Sequence, residues 1–400
     1  MSPVMSEVKR HESTTDLDTR KGESMMRRSF SESVAVVLLV LVAVALSASC
    51  AFAQRRDLPQ RDLSDLPAYT PGYKVAGGFR IFGSELKGAV EALAVGFKKY
   101  HPDVMISTNF MTSSEGAMAG MYVGVSDLAP AGDDAKITDM MPFYNTFRYL
   151  PTEISIATGG HEKRGTLWPA VVVVNKENPV SNLTMRQLEC IFGAERTGGW
   201  ELGDNLLYTA KYARGPETNI HKWGQLGQTG EWKDKEIQTY GYIAPGFEIY
   251  LERKLFHWSD KWNANYREYV EAKEATADDY GKAVSSERML EQLSKDKFGI
   301  GWGAQMHIKD YPNVKPVALA ATEAGPYVAM SAETVANRTY PLIRDAYVYI
   351  NRAPGRPMDP KVKEFLRFVL SREGQQIIAD TDMYYALTPD ALREQLKKLD

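Results

Sequence analysis

The stretch YGYIAPGFEIYLERKLF, from Tyr240 to Phe256, is where this chain could do chemistry: a Gly/Pro loop runs into an amphipathic helix. Free backbone N–H groups at a helix start can hold an anion. The loop itself carries no Arg, Lys, Ser or Thr, so the stretch is either an anion site without its usual side chains or only a turn. Covalent and metal chemistry find less support. No His/Asp/Ser spacing supplies an activated nucleophile with a partnered base, which argues against an enzyme. His221, His257 and His307 show no ligand spacing, so no metal or other cofactor is expected. Cys50 and Cys190 are the two cysteines and form no disulfide framework.

Composition fits a soluble chain of two domains. The 400 residues are 44% hydrophobic and 25% charged, enough for a sizeable core. A net charge of −3 gives no phosphate-neutralising excess, so nucleic-acid binding is not expected. The aromatic segment HWSDKWNANYREYV, from His257 to Val270, has the near-helical spacing of a core face rather than of a base-stacking surface.

The N-terminus bears on compartment. Val34 to Ala53 is a run without a charge, preceded by Arg27 and Arg28 and ending Ala51-Phe52-Ala53. That order reads as an export signal cleaved before Gln54, and alternatively as a retained membrane anchor. The Arg pair suggests twin-Arg export, and Cys50 in LSASC has the look of a lipidation site with Ser47 in place of the expected Leu. Met25 or Met26 is an alternative start. A periplasmic or cell-envelope location follows. Residues 54–74, rich in Asp, Arg and Pro, read as a tether with no core of its own.

Beyond Lys74 strands and helices alternate. In VAGGFRIFGSELKGAVEALAVGFKKYHPDVMISTN, residues Leu86, Val90, Leu93, Ala94 and Phe97 share one helical face between two strands, a βαβ unit. TNFMTSSEGAMAGMYVGVSDLAPAG repeats that logic. WPAVVVVNKENP suits a strand buried on both faces, and Thr184 with Gln187 forms a capping box. YPLIRDAYVYINR reads as a long strand, and DPKVKEFLRFVLSREGQQIIAD as helix with Val362, Phe365, Leu366 and Val369 on one face. The expectation is α/β, with two mostly parallel sheets.

IFGSELKGAVEALAVGFKKYHPDV, VVVVNKENPVSNLTMRQLECIFGAERTGGW, WGQLGQTGEWKDKEI and YPLIRDAYVYINRAPGRPMDPKVKEFLRFVLSREGQQII together resemble the phosphate-binding component of bacterial phosphate ABC transporters, in the type 2 periplasmic-binding-protein superfamily. The likeness covers nearly all of residues 75–390. It implies two lobes, 75–170 plus 346–400 and 171–345, with crossings near 171–175 and 340–349. It also implies a cleft that closes by hinge bending on phosphate or a related small anion, an ABC permease as partner, and a monomer.

The resemblance also implies site residues. Ser84, beside Glu85 in FGSEL, stands at the first loop hydroxyl, and Ser113 and Ser114 in TSSEG stand where the second helix presents its own. Each is equally readable as a helix cap. Asp133 in PAGDDAK stands as carboxylate acceptor or turn cap. Tyr242 falls where the family has an arginine, and Gly246-Phe247 where it has Gly-Thr. The backbone N–H groups of Gly246 and Phe247 remain as donors, and Arg214 in YARGPETN is a guanidinium that could reach in, with Glu217 and Thr218 in a rival clamp. If neither those backbone donors nor Arg214 replaces an arginine at 242, the alternative is a less charged or aromatic ligand stacked on Tyr242 and Phe247, or a sensor or adhesion module with an inert cleft.

Overall fold

A computed structural model of the chain describes residues 61–83, 86–110, 114–132, 134–160, 168–203, 205–242, 247–270 and 284–400. The export signal or anchor and Cys50 lie outside them. No helix among the described residues is long and apolar enough to cross a membrane.

The first sheet begins with β1 (Gly77–Phe82), β2 (Val104–Asn109), β3 (Leu128–Ala131) and β4 (Thr152–Gly159). Helix Lys87–Lys98 connects β1 to β2 and buries Ala89, Val90, Leu93, Ala94 and Phe97, the face that its periodicity predicts. The second sheet takes β5 (Val171–Asn175), whose five residues are all buried. Then come three short strands, β6 (Asn182–Thr184), β7 (Gly199–Leu202) and β8 (Leu206–Thr209), the last two forming a hairpin. β9 (Gln238–Tyr242), β10 (Tyr266–Tyr269), β11 (Gly299–Gly303) and β12 (Val314–Pro316) complete the second sheet, and β13 (Ala318–Ala320) pairs with β6. β14 (Asp345–Ile350) and β15 (Tyr384–Tyr385) return to the first.

The first sheet has the order β15-β4-β14-β3-β1-β2 and the second β10-β9-β11-β5-β12. The sheets are mixed, a correction to the mostly parallel expectation. β2, β1 and β3 run parallel, whereas β14 lies antiparallel between β3 and β4. β5 likewise lies antiparallel between β11 and β12. The reason is topological: β14 re-enters the first sheet from the second lobe, so it arrives running the other way. It is also shorter than the sequence suggests, because Tyr340–Arg344 is not strand.

Each sheet carries its own core. Helices Lys87–Lys98, Pro360–Val369 and Arg372–Asp380 cover one face of the first sheet, and helices Ser114–Tyr122 and Ile137–Phe147 contribute to a smaller cluster with Tyr347 and Tyr349. The SREGQQII motif has a local cause. Ser371 caps its helix by accepting from Gly374 N, and a Cβ at Gly374 would stand 2.2 Å from the Phe368 carbonyl oxygen. Buried Gln375 donates to Ile156 O (3.0 Å) and accepts from Leu387 N (2.7 Å), so one amide ties helix, β4 and the C-terminal segment together.

Between the sheets the two chain crossings bond to each other. Gly159 N donates to Arg344 O (2.8 Å) and Ala170 N to Leu342 O (3.0 Å). Tyr340 Oη adds a bond to Ala170 O (2.9 Å).

The tether reading fails for residues 61–73. Leu63, Leu66 and Tyr69 sit in the main core of the first lobe. Tyr69 Oη donates to Glu364 (2.9 Å) and lies 2.7 Å from His101 Nε2, and Arg372 grips the carbonyl of Leu66 (2.9 Å). Three apolar residues spaced by three suffice to dock a segment that is polar in composition. Leu66 is 1% exposed, so Leu66→Ala is expected to cost about 2–5 kcal/mol, read as a lower urea midpoint at unchanged slope.

Candidate functional site

Parallel strands gather loops at their carboxyl ends, where a sheet offers room for a ligand. β1 ends before Ser84 and Glu85, β3 before Asp133, and β9 before Gly246. These four residues and Ser113 lie outside the described residues, and Ser114 is placed as the first residue of helix Ser114–Tyr122.

Helix Phe247–Phe256 belongs to the second lobe, with Phe247, Tyr250, Leu251, Leu255 and Phe256 in its core. Its other face meets the first-lobe segment 134–136. The Arg253 guanidinium forks onto Glu153 of β4, 2.9 Å to each oxygen, and reaches Asp134 Oδ1 at 2.6 Å. Tyr349 Oη donates to Glu153 (2.9 Å) and Tyr347 Oη lies 3.2 Å from Asp134 Oδ1. Trp258 Nε1 donates to Ala135 O (3.3 Å). Burial by itself raises the Glu153 carboxyl, but Arg253 and Tyr349 outweigh it and hold Glu153 below the usual carboxylate range. Asp134 keeps one asymmetry: Oδ1 is engaged, while buried Oδ2 has no partner among the described residues.

Two further groups stand at the helix start. Arg344, buried in the second crossing, lies with its guanidinium 4.7 Å from the Phe247 ring centre and 5.5 Å from that of Tyr250. Glu248 is pushed up to about 9 by burial and by the Glu268 carboxyl beside it, while Lys136 of the first lobe draws it down. A Glu248 carboxyl raised this far is uncharged near neutral pH, so the helix start carries less negative charge than two glutamates suggest.

The rings of Tyr242 and Phe247 do not form a ligand platform, which corrects the stacking expectation. Tyr242 is fully buried and stacks on Trp302 at 4.9 Å, and Phe247 lies parallel to the same indole at 5.6 Å. Burial raises the Tyr242 phenol accordingly. Phe247 still opens the helix, so its backbone, not its ring, is the feature that suits an anion.

Arg214 does not join this site. Its side chain is 2% exposed and lies 3.9 Å from Glu189. It donates to Ala194 O (2.7 Å) and to Thr218 Oγ1 (3.0 Å). Arg196 bonds Glu189 as well, so the rival clamp is an internal ion cluster in which Thr218 serves the arginine. Cys190 is free, buried and raised by that burial. No group of three or more His, Cys, Asp or Glu among the described residues is arranged to hold a metal ion.

The sequence pattern could not flag Arg253, Glu153, Asp134 or Arg344. An arginine on the polar face of a helix reads as solvated, and only the approach of the two lobes makes it a contact. For Asp134 a signal existed in the Asp pair, but the sequence reading places the acceptor at Asp133.

Two α/β lobes joined by a pair of crossing segments are the fold of a cleft-binding protein of the two-lobe type. The chain belongs to the PBP (periplasmic-binding-protein) superfamily, whose domain profile matches residues 83–373. It is 28% identical over 337 residues to the phosphate-binding protein PstS of Pseudomonas aeruginosa, covering 84% of this chain and 90% of that one. Solved structures similar to it include an ABC-type phosphate transport receptor from Vibrio cholerae (18% identity, TM-score 0.43, covering 77% of this chain and 100% of that one). PstS from Borrelia burgdorferi is another (14%, TM-score 0.46, 78% and 99%).

The Glu248–Glu268 pair makes a pH prediction. A carboxyl raised in the folded state adds stability that is fully present below its unfolded value near 4.5 and is lost as pH rises through about 9. Unfolding free energy from urea titrations is expected to fall from pH 5 to pH 9, and Glu248→Gln to flatten that slope. An equal slope in the variant would assign the loss to other groups.

The buried stack makes another. Tyr242→Arg, which restores the family's residue type, is expected to lower the melting temperature rather than tighten anion binding, because it drives a charge into the Trp302 stack.

Proposed function

We propose that this chain is an exported solute-binding protein that captures phosphate, or a closely related oxyanion, for an ABC-type importer. The observation that carries the geometry is the buried Asp134 carboxylate. It has one oxygen held by Arg253 and Tyr347 and the other without a partner among the described residues, on the segment that faces helix Phe247–Phe256. A singly protonated phosphate has both chemistries such a place offers: anionic oxygens for helix-start N–H groups and a P–OH to donate to a carboxylate. The extended sequence relationship to PstS supports the same ligand.

Arg344 is the proposed cation of the site. It stands at the Phe247 end of the helix and supplies from the second crossing the charge that Tyr242 does not. Ser84, Ser113, Ser114 and the Gly246 backbone are proposed as further donors, with Asp133 beside Asp134. The lobes are proposed as 61–170 plus 346–400 and 171–345, with the permease docking a monomer after export to the periplasm or cell envelope. Binding without turnover is the expected behaviour, in keeping with a relative that is a binding protein.

A second reading keeps the scaffold and changes the ligand. It is favoured by one observation, that the family's arginine position is an aromatic core residue. Calorimetric titration of the ligand-stripped protein near neutral pH separates the two. Sub-micromolar phosphate binding is expected, with Arg344→Gln weakening it by about ten- to a hundredfold, the worth of a charge-assisted contact. No heat and no thermal shift up to millimolar phosphate would remove phosphate as ligand and leave the diverged binder.

A further inference from the structure

The lobes touch at more than the crossings. Arg253 of the second lobe is forked onto Glu153 and bonded to Asp134, both in the first. The contact is largely withdrawn from water: the Asp134 side chain is 1% exposed, those of Arg253 and Glu153 about a fifth exposed. Tyr347 and Tyr349 occupy further lone pairs of the two carboxylates, and the Trp258 ring lies 5.2 Å from the Arg253 guanidinium. A second contact lies nearby. The β7–β8 hairpin of the second lobe sets Leu202 and Leu206 against the cluster of Phe143 and Phe147, and Asn205 accepts from Tyr144 Oη (3.1 Å).

We infer that Arg253 is an interlobe latch that keeps the cleft closed without ligand and acts as a positioning residue for the segment bearing Asp134. The anion part of this inference rests on the proposed phosphate function; the latch itself does not. A forked guanidinium–carboxylate pair is among the strongest polar contacts a protein makes, and here it can form only when helix Phe247–Phe256 lies against β4. Separating the lobes exposes Arg253, Asp134 and Glu153 to water, so the pair contributes only to the closed state. A ligand that binds the closed state then has less of the closing free energy to supply. The latch also reaches the site directly. By holding Asp134 Oδ1, Arg253 orients the carboxylate whose Oδ2 is unpartnered.

The acidic partners exceed the cation by one charge. The groups facing this contact include Lys254, whose charge is felt by the same cluster, and Lys398, whose Nζ donates to Glu153 O (2.8 Å). Both bring positive charge to the surplus carboxylate, so the latch is a supported network and not an isolated pair.

Spin labels at exposed Met105→Cys in β2 and Lys233→Cys in the second lobe, introduced in the full chain with Cys50→Ser, report the lobe separation; Cys190 is buried and stays unlabelled. The ligand-free parent is expected to give one short distance. Arg253→Gln and, separately, Glu153→Gln are expected to add a longer population of at least a third of molecules, which inorganic phosphate at saturation removes. In the same variants phosphate dissociation is expected to quicken about tenfold, with Arg253→Lys intermediate. Distance distributions unchanged from the parent in both variants, with both folded by circular dichroism, would overturn the latch. If one variant fails to fold, the other decides. If the parent binds no phosphate, the functional proposal falls while the ligand-free distances still test the latch.

Discussion

The arrangement depends on one constraint: the chain must pass between the lobes twice, and the two passages are bonded to each other. The pairs Gly159–Arg344 and Ala170–Leu342 sit between two separate hydrophobic cores. Because β14 then inserts between β3 and β4, the first lobe is completed only when the C-terminal part of the chain has returned to it. Each lobe is therefore a closed packing unit, and relative motion is confined to the few residues of the crossings.

Buried charge is spent at the seams of this plan. Glu364, whose side chain is fully buried, pairs with Arg367 and accepts from Tyr69 Oη and Gly72 N, locking the N-terminal segment to helix Pro360–Val369. Glu189 with Arg196 and Arg214 joins the helix Met185–Phe192 to the loops that follow it. Arg253 with Asp134 and Glu153 joins lobe to lobe. A buried ion pair contributes little net stability compared with an apolar packing of the same volume, but it fixes geometry, since breaking it strands a charge. All three clusters sit where apolar area alone would leave the relative placement of two segments loosely specified.

What the sequence disclosed follows the range of the forces involved. Helix faces such as that of Lys87–Lys98, the Thr184–Gln187 capping box and the fully buried β5 are local patterns and were legible. The docking of residues 61–73 was not, because Leu63, Leu66 and Tyr69 are scattered among Asp, Arg and Pro, and their partners lie some 300 positions on, at Glu364 and Arg372. The start of helix Phe247–Phe256 was legible from the Gly/Pro loop. Its side chains were not: Tyr242 looked like a substitute for an arginine and is instead a core aromatic, and Arg214 looked available and is committed to Glu189 and Thr218.

These two misplacements have one physical explanation. A tyrosine introduced where a charge would stand can either face the cleft or turn inward, and inward it gains the face of Trp302 and loses only the hydration of one phenol. Once the ring is inside, the helix start behind it is walled by Tyr242, Phe247 and Trp302, a setting of low polarizability in which any remaining charge acts over a longer range. Arg344 and the uncharged Glu248 carboxyl then matter more than they would in an open loop. The charge near this helix start comes from its flanks, from a guanidinium on the crossing and a carboxyl raised by burial. On the proposed function the cation of the site stands on a segment that joins the lobes, which links affinity to closure.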